Sequence, residues 1–180
     1  QHAPVIEPRR KILDHVERQV KDGIIGDLQE LRGRGKEDRR AGGEDMMVLG
    51  THVFDLMRRF AGDPQWVTSR IAQNGREVRV ADVNPKGPEG MGPIAGDNIQ
   101  AMFAFPNGLP GYFASKRSNE ATGKRFGIDL YGSKGVIAVR AGHARAHDPR
   151  RNAGIQAVPW ASAAGAPTRE FARSTNETGS

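Results

Sequence analysis

The sequence predicts an α+β domain with a largely antiparallel sheet and helices packed on one face. The first part of the chain shows two stretches with helical spacing of apolar residues, and the later part shows short apolar runs joined in pairs by turn sequences. The Asn-Gly pairs at 74–75 and 107–108 are strong hairpin signals, because both residue types tolerate the positive φ of two-residue turns. Hairpins join antiparallel neighbours, so we expect six or seven strands of this kind.

The predicted elements follow one another along the chain. A first helix is predicted over 10–22, where apolar residues recur at helical spacing before a glycine, and a strand follows over 24–34. A second helix is predicted over 44–61, with Arg58 and Arg59 in its last turn and Gly62 and Pro64 after it. The later strands are predicted over 66–72, 77–83, 99–105, 110–116, 126–131 and 136–140, with a glycine- and proline-rich loop over 84–96.

The pattern weakens after Gly142. We therefore expect a folded α+β domain over 1–142 and an irregular, partly disordered extension over 143–180. Trp160 and Phe171 are candidates for anchoring this extension to the domain. His143, His147 and Asp148 have the residue types of a metal site, but Gly142 and Pro149 bracket them and disfavour a helix, so no metal site is expected.

Composition limits the classes of function. The net charge is +6, but the basic residues are scattered and no nucleic-acid-binding signature accompanies them, so no nucleic-acid partner is expected. The chain has no cysteine, and no apolar run long enough to span a membrane or act as a signal peptide. We expect a cytoplasmic protein. Its first residue is not methionine, which suggests a processed product or a piece of a longer protein.

The segment 42–55 contains the main candidates for chemistry. On an α-helix, Asp45 and His52 lie on one stripe, while apolar residues cover much of the remaining surface. A helix so apolar is predicted to be buried, and a buried ionisable group needs a partner or a chemical role. His52 is therefore the catalytic candidate. The alternatives are that His52 is a hydrogen-bonded core residue and that Asp45 only offsets the helix dipole.

Cations on the loop before this helix are candidates for binding a substrate. Arg34, Lys36 and Arg39, with the neighbouring Arg40, would suit the hydroxyl or carboxylate groups of a small molecule. The alternative is a solvated loop whose cations pair internally with Glu37 and Asp38.

Several short motifs, in this order, resemble the C-terminal domain of the Gfo/Idh/MocA oxidoreductases. The resemblance covers about 10–140, and its order and spacing are more specific than any single motif. It rests on Gly23-Ile24-Ile25-Gly26, Gly42-Gly43, His52-Val53-Phe54-Asp55, Gly62-Asp63-Pro64, Asp97 with the strand 101–108 after it, and Tyr131-Gly132-Ser133-Lys134-Gly135.

This resemblance implies one half of a two-domain protein. In the family, an N-terminal Rossmann domain binds NAD or NADP, and the α+β domain shapes the pocket for a sugar, polyol or related small molecule. That domain also usually forms the oligomer interface, so a homo-oligomer through the sheet is expected. This chain has no strand followed by Gly-x-Gly-x-x-Gly and no equivalent of the family's Glu-Lys-Pro segment. We therefore expect a nicotinamide cofactor in the complete protein and none on this chain alone.

The chain departs from the family at one important position. The family often has an aspartate four residues before the histidine, where this chain has Val48. Asp45 would lie about 10 Å from His52 along a helix, and Asp55 is the nearest local alternative. We favour the substrate-binding and oligomerisation domain of an NAD(P)-dependent dehydrogenase, with His52 exchanging a proton with the substrate. A glycosidase or epimerase that oxidises its substrate transiently, and a stand-alone non-catalytic binding or assembly module, remain alternatives.

Overall fold

One mixed sheet with helices on one face forms the fold. The computed structural model describes residues 6–118, 125–140 and 155–159. The helices are α1 (Ile6–Lys21), α2 (Gly43–Asp45) and α3 (Thr51–Ala61), and a π-helical segment, Met46–Gly50, joins the last two. The strands are β1 (Leu28–Arg34), β2 (Trp66–Gln73), β3 (Arg76–Glu77), β4 (Asn98–Ala104), β5 (Pro110–Lys116), β6 (Gly127–Gly132), β7 (Gly135–Arg140) and β8 (Ile155–Pro159).

The strand order across the sheet is β3-β2-β4-β5-β1-β6-β7-β8. All neighbouring pairs are antiparallel except β1 and β5, which run parallel with Leu31 opposite Gly111. The predicted α+β class with a largely antiparallel sheet is therefore confirmed. The parallel pair arises because the helical region and the β2–β4 part of the sheet are inserted between β1 and its neighbour β5.

Both predicted Asn-Gly turns are present. Asn74 and Gly75 have φ of 53° and 80° between β2 and β3, and Asn107 and Gly108 have φ of 61° and 73° between β4 and β5. Two consecutive positive φ values match the twist of antiparallel strands, which explains the preference for this residue pair.

The structure differs from the predicted strands in three places. β1 begins at Leu28 rather than at residue 24, because Gly23 and Gly26 adopt positive φ and turn the chain first. β3 is only Arg76–Glu77, and a 3₁₀ turn replaces most of the strand predicted over 77–83. β8 was not indicated by the sequence pattern; it lies inside the segment expected to be irregular and pairs with β7.

The core lies between the helices and one face of the sheet. Its buried members include Val16 from α1, Val53 and Met57 from α3, and a row of strand residues, namely Leu31, Phe113, Ile128, Leu130 and Ile137. Gly33 in β1 permits the close approach of α3, because a Cβ there would lie 2.5 Å from Val53 Cγ1. The ring of Phe54 meets Phe113 edge-on at 4.8 Å, which fixes the start of α3 against β5.

Polar contacts hold the two longer helices together. Arg59, near the end of α3, donates hydrogen bonds to Asp14 and to Glu17 of α1, the latter at 2.9 Å. The predicted end of α3 is confirmed, since Gly62 has a φ of 78° and donates its N–H to the Arg58 carbonyl. Neither these helices nor any other in the described residues has the length and apolar character needed to cross a membrane.

The opposite face of the sheet carries apolar side chains without cover from the described helices. Trp66 on β2 is 52% exposed and Tyr112 on β5 is 38% exposed. Between these strands, Met102 of β4 lies opposite Thr68 on one side and opposite Tyr112 on the other. We call the side chains Trp66, Thr68, Met102 and Tyr112 the open face.

Candidate functional site

The predicted second helix is present but is not one regular α-helix. Its π-helical segment, Met46–Gly50, separates α2 from α3. Each π turn contains more residues than an α turn, so the positions after it are rotated relative to those before it. Asp45 is completely buried and His52 is exposed, so the predicted shared stripe and the predicted burial of His52 are both wrong.

The double glycine before the helix allows very close backbone packing. Gly42 has a φ of 77°, and a Cβ on it would lie 2.2 Å from the Gly96 carbonyl oxygen. A Cβ on Gly43 would lie 2.3 Å from the Ala95 carbonyl oxygen, and its N–H donates to Gly96 at 3.0 Å. Side chains at either position would push the helix start away from the segment before β4, which explains the two glycines.

Asp45 joins three separate parts of the chain. Its Oδ2 accepts hydrogen bonds from the Ser115 hydroxyl on β5 and from the Glu37 backbone N–H at 3.2 Å. The Ser115 oxygen in turn accepts the Gly42 N–H at 3.2 Å. Gly35 leaves the necessary room, since a Cβ there would lie 2.0 Å from Oδ2. The Oδ1 atom is buried and has no hydrogen-bond partner among the described residues.

Glu37 is the second buried carboxylate of this region and is only 4% exposed. Its side chain pairs with Arg34 at 3.3 Å and with Arg125, and it accepts the Lys116 backbone N–H at 3.3 Å. Its backbone has a φ of 56°, an uncommon conformation for a residue with a side chain, and these contacts offset that strain. Arg34, a predicted substrate-binding residue, is therefore paired with a carboxylate of the same loop.

The rest of the basic loop is also largely paired. Asp38 accepts hydrogen bonds from Arg40 and forms an ion pair with Lys36 at 3.1 Å. Burial opposes ionisation of Asp38, but hydrogen bonds from Arg40 and Lys36 outweigh it and hold the pKa of Asp38 at about 2. The internal pairing that the sequence left open thus holds for Arg34, Lys36 and Arg40. Within the described part of the chain, Arg39 has no carboxylate partner.

Arg39 forms part of a pocket with a volume of about 590 Å³. The basic loop and the start of α2 form one side of it, the 84–96 loop forms another, and Arg117 closes the end beyond β5. We call this the basic pocket; its lining residues are Arg39, Arg40, Glu44, Asn84, Lys86, Pro88, Glu89 and Arg117.

The predicted site residues thus separate into three environments. Asp45, Arg34 and Lys36 lie in or beside the buried network, Arg39 lines the basic pocket, and His52 lies elsewhere on the surface. His52 shares its exposed face with Thr51 and Asp55, and Met47, one helical turn earlier, is 49% exposed. Over the residues that the structure describes, no hydrogen bond joins His52 to Asp45 or to Asp55.

Two further residues organise the site, Ser115 and Glu37. Ser115 was missed in the sequence, and Glu37 was considered only as a possible internal partner of the loop cations. Ser115 could have been recognised, because it continues the inward-facing register of Gly111 and Phe113 on β5. A polar side chain at a core-facing strand position requires a hydrogen-bond partner. Glu37 carried a weaker signal, as one of only two acids inside a basic run, and its left-handed φ has no sequence marker.

Metal binding has no geometric support in the residues described. No group of three or more potential ligand side chains occurs within 6–118, 125–140 and 155–159. His143, His147 and Asp148, which were weighed as metal ligands, lie outside these residues, as do Trp160 and Phe171.

The family model for the GFO/IDH/MocA C-terminal domain matches residues 13–138, which is more than half of the chain. The chain belongs to the Gfo/Idh/MocA family. The resemblance inferred from its short motifs is therefore confirmed. The match begins within α1, ends within β7 and includes all of α2, α3 and β1 to β6. No match was found among curated proteins.

Several solved oxidoreductase structures are similar to this chain at low sequence identity. An oxidoreductase from Pseudomonas syringae superimposes with a TM-score of 0.50 at 15% identity, over 70% of this chain and 32% of that chain. Levoglucosan dehydrogenase, in complex with NADH and L-sorbose, has a TM-score of 0.49 at 22% identity. The similarity covers 79% of this chain and 42% of that chain. An NAD-binding oxidoreductase from Klebsiella pneumoniae has a TM-score of 0.49 at 17% identity, again over 79% of this chain and 42% of that chain. The chain spans less than half the length of these structures.

Proposed function

We propose that this domain is the substrate-binding half of an NAD(P)-dependent oxidoreductase acting on a sugar, polyol or related hydroxy compound. Membership of the Gfo/Idh/MocA family carries the proposal. In it, an N-terminal Rossmann domain supplies the nicotinamide cofactor, which accepts or donates hydride. The cofactor is not assigned to residues of this chain, which has no strand leading through Gly-x-Gly-x-x-Gly into a helix.

In this proposal, His52 exchanges a proton with the reacting hydroxyl of the substrate. The imidazole is exposed on the same helix face as Thr51 and Asp55, with Met47 partly exposed beside it. This exposed face is available for a second domain to cover, and covering it would exclude water from the imidazole. A histidine is suited to proton exchange near neutral pH because its ordinary pKa lies close to that range.

The experiment compares His52→Ala with His15→Ala in the complete two-domain protein. Both histidines are exposed on helices, and only His52 lies on the proposed interdomain face. We expect His52→Ala to lower kcat by about 10²–10⁴-fold, the usual contribution of general acid–base catalysis, and His15→Ala to leave it unchanged. A kcat for His52→Ala within about threefold of the parent value would remove the catalytic role.

A titration of NADH and NADPH against the 180-residue chain tests the assignment of the cofactor to the Rossmann domain. We expect no saturable binding, because the pyrophosphate site is assigned to the Rossmann domain. Tight binding to this chain would contradict that assignment and place a nucleotide site within these residues.

The open face supports a homo-oligomer as a further part of this proposal. Trp66 and Tyr112 are large side chains that are expensive to leave in water, and a second copy of the sheet presents the same residues about a two-fold axis.

A further inference from the structure

The basic pocket keeps a net positive charge after its internal ion pairs are taken into account. It is lined by four cations and two carboxylates, and only Arg40 is paired, with Asp38 at 3.2 Å and with Glu89 at 4.0 Å. In the residues covered by the structure, Arg39, Lys86 and Arg117 have no carboxylate partner. Three unpaired cations that converge on one concavity repel one another, so an anion between them would lower the free energy of the site.

The basic-loop side of the pocket is held in place by the buried network beneath it. Asp45 and Glu37 fix the loop that carries Arg39, and the Gly42 N–H is bound to Ser115. Arg117 is fixed at its backbone, which donates to the Asp97 carbonyl at 2.8 Å. These contacts fix the backbone positions from which Arg39 and Arg117 extend.

The 84–96 loop, which forms the other side, is held by its own hydrogen bonds. Asn84 and Ile94 exchange two backbone hydrogen bonds of 2.8 and 2.9 Å, and Gly87 donates to Gly92 at 2.8 Å. The Asn84 side chain also accepts the Lys86 backbone N–H at 3.1 Å. A loop already ordered in this way loses less conformational entropy when a ligand binds.

We propose that the basic pocket binds a small hydroxylated oxyanion, such as a sugar phosphate or a sugar acid. The guanidinium groups of Arg39 and Arg117 match the planar, two-oxygen geometry of carboxylate and phosphate groups. The carboxylates of Glu44 and Glu89 add acceptors for ligand hydroxyl groups. The volume of about 590 Å³ lies within the range of small-molecule sites and exceeds what a single inorganic ion fills.

This inference rests on the proposed function in one respect. The hydroxylated character of the ligand follows from the sugar or polyol substrate class proposed above, and its anionic group follows from the unpaired cations of the pocket. Binding to the pocket does not itself require His52 or a cofactor, because none of the lining residues depends on them.

The test is isothermal titration calorimetry of the 180-residue chain with three probes that share a hexose skeleton. Glucose 6-phosphate carries a phosphate, glucarate carries two carboxylates, and glucose carries neither. At about 50 mM salt we expect saturable one-to-one binding of at least one anionic probe, with glucose binding at least tenfold more weakly. The stronger of the two anions identifies the phosphate or the carboxylate as the preferred group.

Matched variants separate pocket binding from general attraction to a basic protein. Arg39→Gln and Lys86→Gln remove one pocket charge each, and Arg18→Gln removes one exposed charge from α1. We expect the dissociation constant to rise about tenfold or more for each pocket variant and to stay within threefold for Arg18→Gln. Circular dichroism of all three variants checks that the fold is retained.

Three outcomes would overturn the inference: no saturable binding of either anion, equal binding of glucose, or equal weakening by Arg18→Gln. The proposed function fails separately, through unchanged turnover of His52→Ala in the complete protein. A complete enzyme that depends on His52 but binds neither anion rejects the oxyanion site alone.

Discussion

The hydrogen-bond network around Asp45 leads to a quantitative prediction about stability. Asp45→Ala would leave the Ser115 hydroxyl and the Glu37 N–H without their shared acceptor in a buried region. Each unsatisfied buried donor costs about 1–3 kcal/mol, so we expect a loss of about 2–6 kcal/mol in the free energy of unfolding. That is a large part of the roughly 5–15 kcal/mol available to a typical domain.

Asp45→Asn provides a milder version of the same test. Its amide oxygen can replace Oδ2 and accept both hydrogen bonds, while its NH₂ group takes the place of Oδ1, which has no partner among the described residues. One unsatisfied NH₂ group is then buried in place of the Ser115 hydroxyl and the Glu37 N–H, so we expect a smaller loss of about 1–3 kcal/mol. This variant keeps the test measurable if Asp45→Ala does not fold.

Urea denaturation followed by circular dichroism measures these losses. With a slope of about 1–3 kcal/mol per molar urea, Asp45→Ala should lower the midpoint by about 1 M or more. Asp55→Ala is the control, because Asp55 is exposed on α3 and its loss should cost no more than about 0.5 kcal/mol. A double-mutant cycle with Ser115→Ala should show coupling of at least about 0.5 kcal/mol. If Asp45→Ala matches the parent midpoint, the network does not hold the loop and the reasoning is refuted.

Three further predictions concern the core, the basic loop and the open face. Gly33→Ala should destabilise the fold by about 1–3 kcal/mol in urea, because its Cβ would lie 2.5 Å from Val53 Cγ1 and 2.8 Å from Met57 Cε. Adding Val53→Ala should recover part of that loss. If Gly33→Ala is as stable as the parent, the packing of α3 on β1 is contradicted. The folded-state pKa of Asp38, about 2, lies below the unfolded value of about 3.9. Ionised Asp38 therefore stabilises the fold above pH 4, and this contribution disappears as the pH falls from about 4 to 2. Asp38→Asn should flatten the pH dependence of the urea midpoint in that window, and an unchanged slope would count against the pairing with Arg40 and Lys36. Trp66→Arg on the open face should shift sedimentation equilibrium from an oligomer to the monomer mass, and a parent chain that is monomeric at about 100 µM would exclude this interface.

The elements with local signals were predictable from the sequence. The Asn-Gly turns, the helix end at Gly62 and the alternation of β5 each depend on residues within a few positions of one another. The position of β1 between β5 and β6 carries no such signal, because it depends on contacts between residues about 80 to 100 positions apart. The late start of β1 at Leu28 was missed because glycines at 23 and 26 were interpreted as a helix end and a strand residue.

The candidate site was predicted in its residues but not in its arrangement. The basic loop and the acidic start of the helix were identified, and the internal pairing of Arg34 and Lys36 was one of two interpretations left open. The convergence of Lys86 and Arg117 with Arg39 joins three distant segments, so no local pattern indicates it. For the buried network, the inward register of Ser115 offered the clearer signal, and the acidic Glu37 inside a basic run offered a weaker one.

The π-helical segment explains how one helical region places Asp45 and His52 in opposite environments. In an unbroken α-helix the two residues would point within about 20° of each other, so burying one would bury the other. The wider turn over Met46–Gly50 removes that constraint, and Gly50 lets it lie against Phe113, where a Cβ would come within 3.2 Å of the ring. Asp45 can then anchor the basic loop inside the domain while His52 faces outward. The position four residues before His52, where the family often has an aspartate, falls on Val48 within this segment. The carboxylate of Asp45 therefore stabilises the basic loop, and within 6–118, 125–140 and 155–159 no carboxylate is hydrogen-bonded to His52.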